Sequence, residues 1–299
     1  MSKMDTRNKE WNIKVVFITF YKFSVTEKPS PHRKKGIILY EIVYACTINK
    51  GKKRKINQDN IVCHQTYLDY REENNAYHDK RRISLRHPVM VGVFDGLGGE
   101  QCGEIASYIA AREAAQLSFD HNISLVLMEY IRKANRKICD FALSNGIVSM
   151  GTTAALTVFD KKKLYVCNIG DSKIFFLQNG QLIQLSKDHI AQLPYGIKAP
   201  LTQCLGIPEE RLQLEPHFFT APLHNGNIFL LCSDGLTDMV ELSEINAILS
   251  AETPEHASEM LVQKALEYGG KDNVSVIVCK AVRKKLFQKR KEGINNVGK

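Results

Sequence analysis

The chain has 299 residues, of which 44% are apolar and 24% are charged, and its formal net charge is +9. These proportions are close to those of soluble globular proteins, and a chain of this length can bury a core without disulfides or a structural metal. They exclude a disordered protein, a collagen-like fibre and a disulfide-stabilised miniprotein.

The positive charge is concentrated in two segments. Residues 50–55 contribute +5 and residues 280–292 contribute +6, so the rest of the chain carries −2. A basic tail is typical either of a segment that contacts nucleic acid or acidic lipid, or of a solvated chain end. Phe287 is the only aromatic residue among the basic residues of this tail. Because a stacking platform is therefore not visible, we expect no nucleic-acid partner.

We expect neither a membrane span nor a secretory signal in the N-terminal segment. Its best apolar run, at 15–21, is far shorter than the about 20 residues that a spanning helix needs, and no small-residue cleavage site follows it. The eight cysteines include no C-x-x-C pair, and Cys167, Cys232 and Cys279 lie inside apolar runs. Buried free thiols of this kind are typical of a reducing compartment, so we expect a cytoplasmic protein.

In chain order, the hydrophobic pattern becomes regular from residue 38. Residues 1–37 are polar and basic, and we interpret them as an N-terminal extension. Helical spacing predicts helices at 100–117, 124–143, 243–249 and 254–268, and a polar run at 69–86 predicts a surface loop. Strands are predicted at 38–47, 61–67, 89–94, 152–159, 163–169, 173–177, 181–185, 227–232 and 274–282.

This order of elements favours a single α+β domain. Strands are clustered and helices are segregated from them, whereas an α/β fold would alternate the two. Gly170-Asp171 and Asn179-Gly180 are predicted to be tight hairpin turns. We therefore assign residues 38–282 to one domain and residues 283–299 to a basic C-terminal tail.

Acidic residues follow or precede several of the apolar strands. They are Asp95-Gly96, Asp171, Asp234-Gly235 and Asp272-Asn273. One aspartate at a strand end is usually a turn former. Several carboxylates at one rim of a sheet repel each other unless a hard cation neutralises them, and oxygen ligands suit Mg²⁺ or Mn²⁺. Spacing alone leaves both interpretations open.

The residues around these aspartates decide between the two interpretations, because seven short motifs occur in a specific order. They are Arg54 to Asp59, Phe94 to Gly99, Gly151 to Thr153, Asn168 to Lys173, Leu185 to His189, Leu231 to Asp238 and Lys271 to Val274. Together they closely resemble the metal-dependent serine/threonine protein phosphatases, the PPM or type 2C family, and in particular its compact bacterial branch. The resemblance covers residues 38–282.

The resemblance implies a fold and a metal site. The fold is an α-β-β-α sandwich of two packed antiparallel sheets flanked by helices. Two Mn²⁺ or Mg²⁺ ions are implied, with Asp95 bridging both, the carbonyl of Gly96 completing one of them, and Asp234 and Asp272 holding the other.

The resemblance also implies roles for residues beside these ligands. Asp59 orients metal-bound waters, and the Arg54 guanidinium binds the substrate phosphate, which suits its bidentate geometry. In the bacterial branch a third ion is held by the residue that corresponds to Asp171 together with Asp234, and Asp238 is expected to assist there.

Two positions depart from the family pattern. Leu97 stands where many eukaryotic members have a histidine that is a proposed general acid, although bacterial members often have an apolar residue there. Gln58 stands where the family usually has glutamate, so it keeps an acceptor oxygen but loses the charge. The first departure removes a proton donor, and the second weakens one water-mediated metal contact.

The resemblance implies hydrolysis of phosphoserine and phosphothreonine in proteins by direct attack of a metal-bridging hydroxide. The alternative is a catalytically inactive pseudophosphatase that binds phosphoproteins, although such proteins usually lack metal-binding aspartates. The expected partners are phosphoproteins and, by analogy, a serine/threonine kinase that shares these substrates. We expect a monomer.

Overall fold

The computed structural model describes residues 39–72, 75–97, 102–161, 163–192 and 199–284. The predicted N-terminal extension and most of the predicted tail lie outside these residues. The helices are α1 (Gly103–Ala115), α2 (Ile123–Ser144), α3 (Asp234–Thr237), α4 (Leu242–Ala251) and α5 (Pro254–Glu267). The strands are β1 (Leu39–Asn49), β2 (Asp59–Cys63), β3 (Thr66–Tyr67), β4 (Ala76–Ser84), β5 (Val89–Leu97), β6 (Gly151–Thr152), β7 (Ala154–Asp160), β8 (Lys163–Ile169), β9 (Lys173–Gln178), β10 (Gln181–Gln184), β11 (His217–Pro222), β12 (Ile228–Cys232) and β13 (Val274–Lys284).

Two antiparallel sheets pack face to face. The first has the strand order β10-β9-β12-β13-β1-β4, and the second has the order β11-β8-β7-β5-β2-β3, with β6 paired to β5. Helices α1 and α2 cover the outer face of the second sheet, and α4 and α5 cover the outer face of the first. The predicted α-β-β-α sandwich is confirmed.

Strand β5 shows why the central strands have continuous apolar sequences. Val89, Val91 and Val93 enter the core between the two sheets, whereas Met90 and Phe94 pack under the helices. Successive side chains of a strand point to opposite faces, so a strand that is covered on both faces needs apolar residues at every position. The run therefore ends at Asp95, where the strand reaches the rim of the sheet.

The predicted surface loop at 69–86 is partly wrong, because residues 76–84 form β4. This strand pairs antiparallel with β1 at the edge of the first sheet; its side chains alternate between exposed and half-buried over 76–80, and three consecutive basic residues at 80–82 are exposed. Charged residues are common on edge strands because they oppose pairing with another chain, and here they hide the strand pattern. Strand β11 is a second short edge strand that the hydrophobic pattern did not predict.

The predicted hairpin at Gly170-Asp171 is also wrong. Strand β8 pairs with β7 and β11, whereas β9 pairs with β12 and β10, so the turn carries the chain from one sheet to the other. Gly170 has φ 96°, and a Cβ on it would lie 2.6 Å from the Thr153 side chain. The second predicted hairpin is confirmed: Asn179 and Gly180, with φ 51° and 77°, connect β9 to β10.

The predicted strand at 61–67 is wrong as a single strand, because β2 and β3 form an antiparallel pair joined by a turn at 64–65. The other predictions agree with the observed elements. Each predicted helix corresponds to α1, α2, α4 or α5, and Cys167, Cys232 and Cys279 are buried free thiols. Strand β13 extends to Lys284, whose Nζ lies 2.9 Å from Glu41 Oε1 on β1. Within the part of the chain that the structure describes, no helix is long and apolar enough to cross a membrane.

Phe229 is a test of the core between the sheets. Its ring is 2% exposed, stacks on Phe176 at 5.1 Å and meets Phe159 edge-on at 5.5 Å. Phe229→Ala should lower the free energy of unfolding by about 3–5 kcal/mol, because the cavity left between two sheets collapses poorly. Urea denaturation measures this loss. Val148→Ala, at a residue that is 97% exposed, is the control and should change stability by less than about 0.5 kcal/mol.

Candidate metal centre

The acidic residues lie at one rim of the sandwich because the strand registers place them there. Asp59 is the first residue of β2 and pairs directly with Asp95 near the end of β5. Cys232 at the end of β12 pairs with Lys173 and Val276, so the segments that contain Asp171, Asp234 and Asp272 reach the same rim. Both sheets therefore contribute carboxylates to one site.

Two glycines allow the backbone segments at this rim to approach closely. A Cβ on Gly235 would lie 2.0 Å from the carbonyl oxygen of Asn273, so only glycine lets the start of α3 lie against the start of β13. A Cβ on Gly96 would lie 2.2 Å from the carbonyl oxygen of Gly103 and 2.5 Å from that of Gln58. These contacts hold Asp234 near Asp272, and the end of β5 against α1.

The Asp59 carboxylate is fixed by two hydroxyl groups. Ser233 Oγ and Ser275 Oγ donate to Asp59 Oδ2 at 2.8 and 2.7 Å, and Asp59 is 5% exposed. Burial raises the pKa of Asp59 to about 7, with a smaller contribution from the nearby Asp234 and Asp272, although the two hydroxyls act in the opposite direction. Ser233 lies inside one of the seven motifs and Ser275 directly follows another, but the motifs gave no indication that either serine binds Asp59.

Mutual repulsion is the main electrostatic property of the rim. Burial raises the pKa of Asp95 well above its usual range, and the charges of Asp59, Asp234, Asp171 and Asp272 raise it further. The pKa of Asp171 is raised to about 6, first by burial and then by Asp234. Two of these five carboxylates, Asp59 and Asp234, are buried and the other three are half-buried. Such a group is stable only when its charges are compensated, so this donor set fits hard divalent cations.

Hydrogen bonds also position Asp95 and Gln58. Thr153 Oγ1 accepts from the Asp95 N–H at 2.9 Å, and it lies 2.6 Å from Ser172 Oγ. Asn273 Oδ1 accepts from the Gln58 N–H at 2.9 Å. Thr153 and Asn273 both lie inside the seven motifs, but the spacing of the motifs gave no indication of these partners.

Arg54 lies at the mouth of the site. Its Nη2 is 2.6 Å from Asp272 Oδ2, and its side chain is 45% exposed. The hydrogen bond to Asp272 is the main cause that raises the pKa of the guanidinium, and the charges of Asp95 and Asp234 contribute. A cation that is half-exposed beside the carboxylates can meet an anionic group that enters from solvent.

The structure shows the contacts of Gln58 and Leu97, which depart from the family pattern, and of Asp238. Gln58 is buried, and its Nε2 donates to Glu104 Oε2 at 3.4 Å in the first turn of α1, where a glutamate at position 58 would meet a second carboxylate. Leu97 is half-buried at the end of β5, paired with Gly151. Asp238 is exposed, and its N–H donates to the carbonyl of Asp234 at 2.8 Å.

Comparison with known proteins gives consistent matches. The family described as Protein phosphatase 2C matches residues 64–195. The chain is 30% identical to the serine/threonine phosphatase stp of Listeria innocua in an alignment of 230 residues that covers 69% of this chain and 88% of the relative. It is also 30% identical to protein phosphatase PhpP of Streptococcus pneumoniae, over 71% of this chain and 93% of the relative.

Solved structures with the same architecture are similar over most of the chain. The catalytic domain of the serine/threonine protein phosphatase PstP, in complex with two manganese ions, aligns with a TM-score of 0.66 and 26% identity. The alignment covers 81% of this chain and 99% of that domain. The phosphatase Stp1 of Staphylococcus aureus aligns with a TM-score of 0.66 and 25% identity, over 79% of this chain and 94% of that one.

The stability of the metal-free protein should fall as the pH rises from about 4, the pKa of aspartate in the unfolded chain, to about 7. Asp59 and Asp171 have raised pKa values in the folded state, so the folded protein binds more protons than the unfolded chain in this window. Each titrating group can cost up to about 1.4 kcal/mol per pH unit. Thermal melting in EDTA measures the slope, and Asp59→Asn should reduce it. A slope that is unchanged in this variant would contradict the assignment.

Proposed function

The chain belongs to the protein phosphatase 2C family of metal-dependent serine/threonine phosphatases, and from this membership we propose a role for each residue at the rim. Its reaction is the hydrolysis of phosphoserine and phosphothreonine in proteins. Asp95, the carbonyl of Gly96, Asp234 and Asp272 would hold two Mn²⁺ or Mg²⁺ ions. The observation that most strongly supports this proposal is the convergence of carboxylates from both sheets, whose charges add to burial in raising the pKa of Asp95.

The bound ions supply two things in this reaction: a water with a lowered pKa, and compensation of the charge that develops on the phosphate oxygens. The protein's contribution is to hold the surrounding groups. Arg54, at the mouth, would bind the oxygens of the phosphate with its guanidinium fork. Asp59 would accept a hydrogen bond from water in the site, since Ser233 and Ser275 fix its carboxylate in one orientation.

We also propose that the rim can hold a third ion. Asp171 lies on the crossing between the sheets, and its pKa is raised first by burial and then by the charge of Asp234 at the same rim. These two carboxylates would share the third cation. Asp238, one helical turn after Asp234, would assist from the exposed side. No observation on the described residues favours the pseudophosphatase alternative, because all the aspartates of the ligand set are present.

We also propose the domain limits, the partners and the location of the protein. The catalytic unit is residues 38–282 with two further residues of β13, since Lys284 is still paired with Leu39 in the sheet. Residues 1–37 and 285–299 would be appendages. The protein would be a cytoplasmic monomer that acts on phosphoproteins, and a serine/threonine kinase would supply these substrates.

Hydrolysis of p-nitrophenyl phosphate by the full chain should require Mn²⁺ or Mg²⁺ and should stop in excess EDTA. Loss of a residue that only hydrogen-bonds to the groups around a metal typically reduces activity about 10–100-fold. Asp95→Asn should reduce turnover by more than this, because it removes a proposed metal ligand directly. Ser275→Ala removes only a hydrogen bond to Asp59 and is the comparison variant. Full activity in excess chelator, or two tightly bound Mn²⁺ ions in Asp95→Asn by calorimetry, would contradict the proposed ligands.

Arg54→Ala should raise KM for phosphate monoesters about tenfold and lower kcat less. A hydrogen bond to a charged group contributes about 1.5–3 kcal/mol, and the exposure of Arg54 places it at the low end of this range. The bond to phosphate persists from ground state to transition state, so mainly uniform binding is lost. Arg54→Lys keeps the charge without the fork and should lie between. A lower kcat at constant KM would mean that Arg54 acts on transition-state charge instead.

A further inference from the structure

The mouth of the proposed catalytic site is bordered by a strongly basic loop, which consists of residues 50–56. This basic loop contains four lysines and Arg54, and it ends at Ile56. Every residue from Lys52 to Ile56 is exposed, and Ile56 is 46% exposed although it is a large apolar residue. The proposed catalytic mechanism uses Arg54 alone, so the lysines have no role in it.

The basic loop is held firmly against the catalytic rim. Asn273 Nδ2 donates to the carbonyls of Lys50 and Ile56 at 2.8 and 3.0 Å, so one side chain joins both ends of the loop. The N–H of Lys52 donates to the carbonyl of Gly270 at 2.7 Å. A Cβ on Gly51, which has φ 79°, would lie 2.1 Å from the carbonyl of Asp272. The loop backbone is therefore fixed beside the segment that contains Asp272.

Most of the positive charges of this loop are not compensated within the part of the chain that the structure describes. Arg54 forms an ion pair with Asp272, whereas Lys52, Lys53 and Lys55 form none with any described residue. The rest of the chain, outside this loop and the tail, is slightly acidic. A fixed group of exposed cations beside a catalytic site attracts anionic ligands and disfavours cationic ones.

We propose that the basic loop selects phosphoprotein segments with acidic or additional phosphorylated residues near the phosphoserine or phosphothreonine. This inference rests on the proposed phosphatase function. Consecutive Cα atoms are about 3.8 Å apart, so Lys53 and Lys55 flank the phosphate-binding Arg54 at short distance. They would meet substrate residues only a few positions from the phosphorylated one. Ile56 offers an apolar contact at the end of the same surface.

The test compares two phosphothreonine peptides and two double variants. The peptides differ only in whether the residues within three positions of the phosphothreonine are acidic or neutral. Lys53→Ala with Lys55→Ala removes two charges from the loop. The control, Arg86→Ala with Lys163→Ala, removes two exposed charges at the opposite end of β5, near Val89 and its partner Phe159. Both double variants change the net charge equally.

The measured quantity is the ratio of kcat/KM for the acidic peptide to that for the neutral peptide, so a general loss of activity cancels. We expect the wild-type chain and the control variant to prefer the acidic peptide. In the loop variant this ratio should fall about three- to tenfold, mostly because KM for the acidic peptide rises. A fall of this size is expected when two exposed ion pairs with the substrate are lost. The preference of the wild-type chain should also weaken at about 0.5 M salt.

Three results would overturn the inference. A wild-type ratio near one would show that the loop does not select acidic substrates. An equal loss in both double variants would assign the preference to net charge. An unchanged ratio, together with loss of binding to a short single-stranded DNA in the loop variant, would assign the lysines to nucleic acid. Failure of the wild-type chain to hydrolyse p-nitrophenyl phosphate with Mn²⁺ would instead contradict the proposed catalytic function.

Discussion

Repulsion between buried carboxylates is the constraint on which the rest of this structure depends. Asp59 and Asp95 face each other across a strand pair, and Asp171, Asp234 and Asp272 add to the same negative potential. The protein supports this arrangement with rigid backbone registers, glycines that allow close approach, and hydroxyl donors on Asp59. Each of these features holds the carboxylates close together against their mutual repulsion. The unfavourable electrostatic energy of this arrangement is what makes the binding of a cation favourable there.

Much of the fold and of the candidate site could be predicted from the sequence. The apolar runs of β5, β12 and β13 are covered on both faces, so they stand out from the turns that follow them. The aspartates at their ends lie within local motifs a few residues long. Because both signals are local in sequence, they do not require knowledge of which strands pair.

The partners of those aspartates could not be predicted in the same way. Ser275 is 216 residues from Asp59, and Asn273 is 215 residues from Gln58. Such contacts depend on strand pairing and on side-chain rotamers, which hydrophobic periodicity does not specify. The crossing at Gly170 was misjudged for the same reason, since a glycine turn is equally compatible with a hairpin and with a change of sheet. The charges of β4 conceal an edge strand.

The pairing of β1 with β13 has a consequence for the order in which the molecule is made. Residues near both ends of the described chain meet in this strand pair, from Leu39 with Lys284 to Asn49 with Val274. A chain that is still being synthesised already contains Asp59 and Asp95, but it lacks Asp272, Ser275 and the central strand of the first sheet. Contacts of such large sequence separation form late in folding. Until β13 has paired with β1, the rim therefore lacks both the Asp272 carboxylate and the Ser275 hydroxyl that holds Asp59.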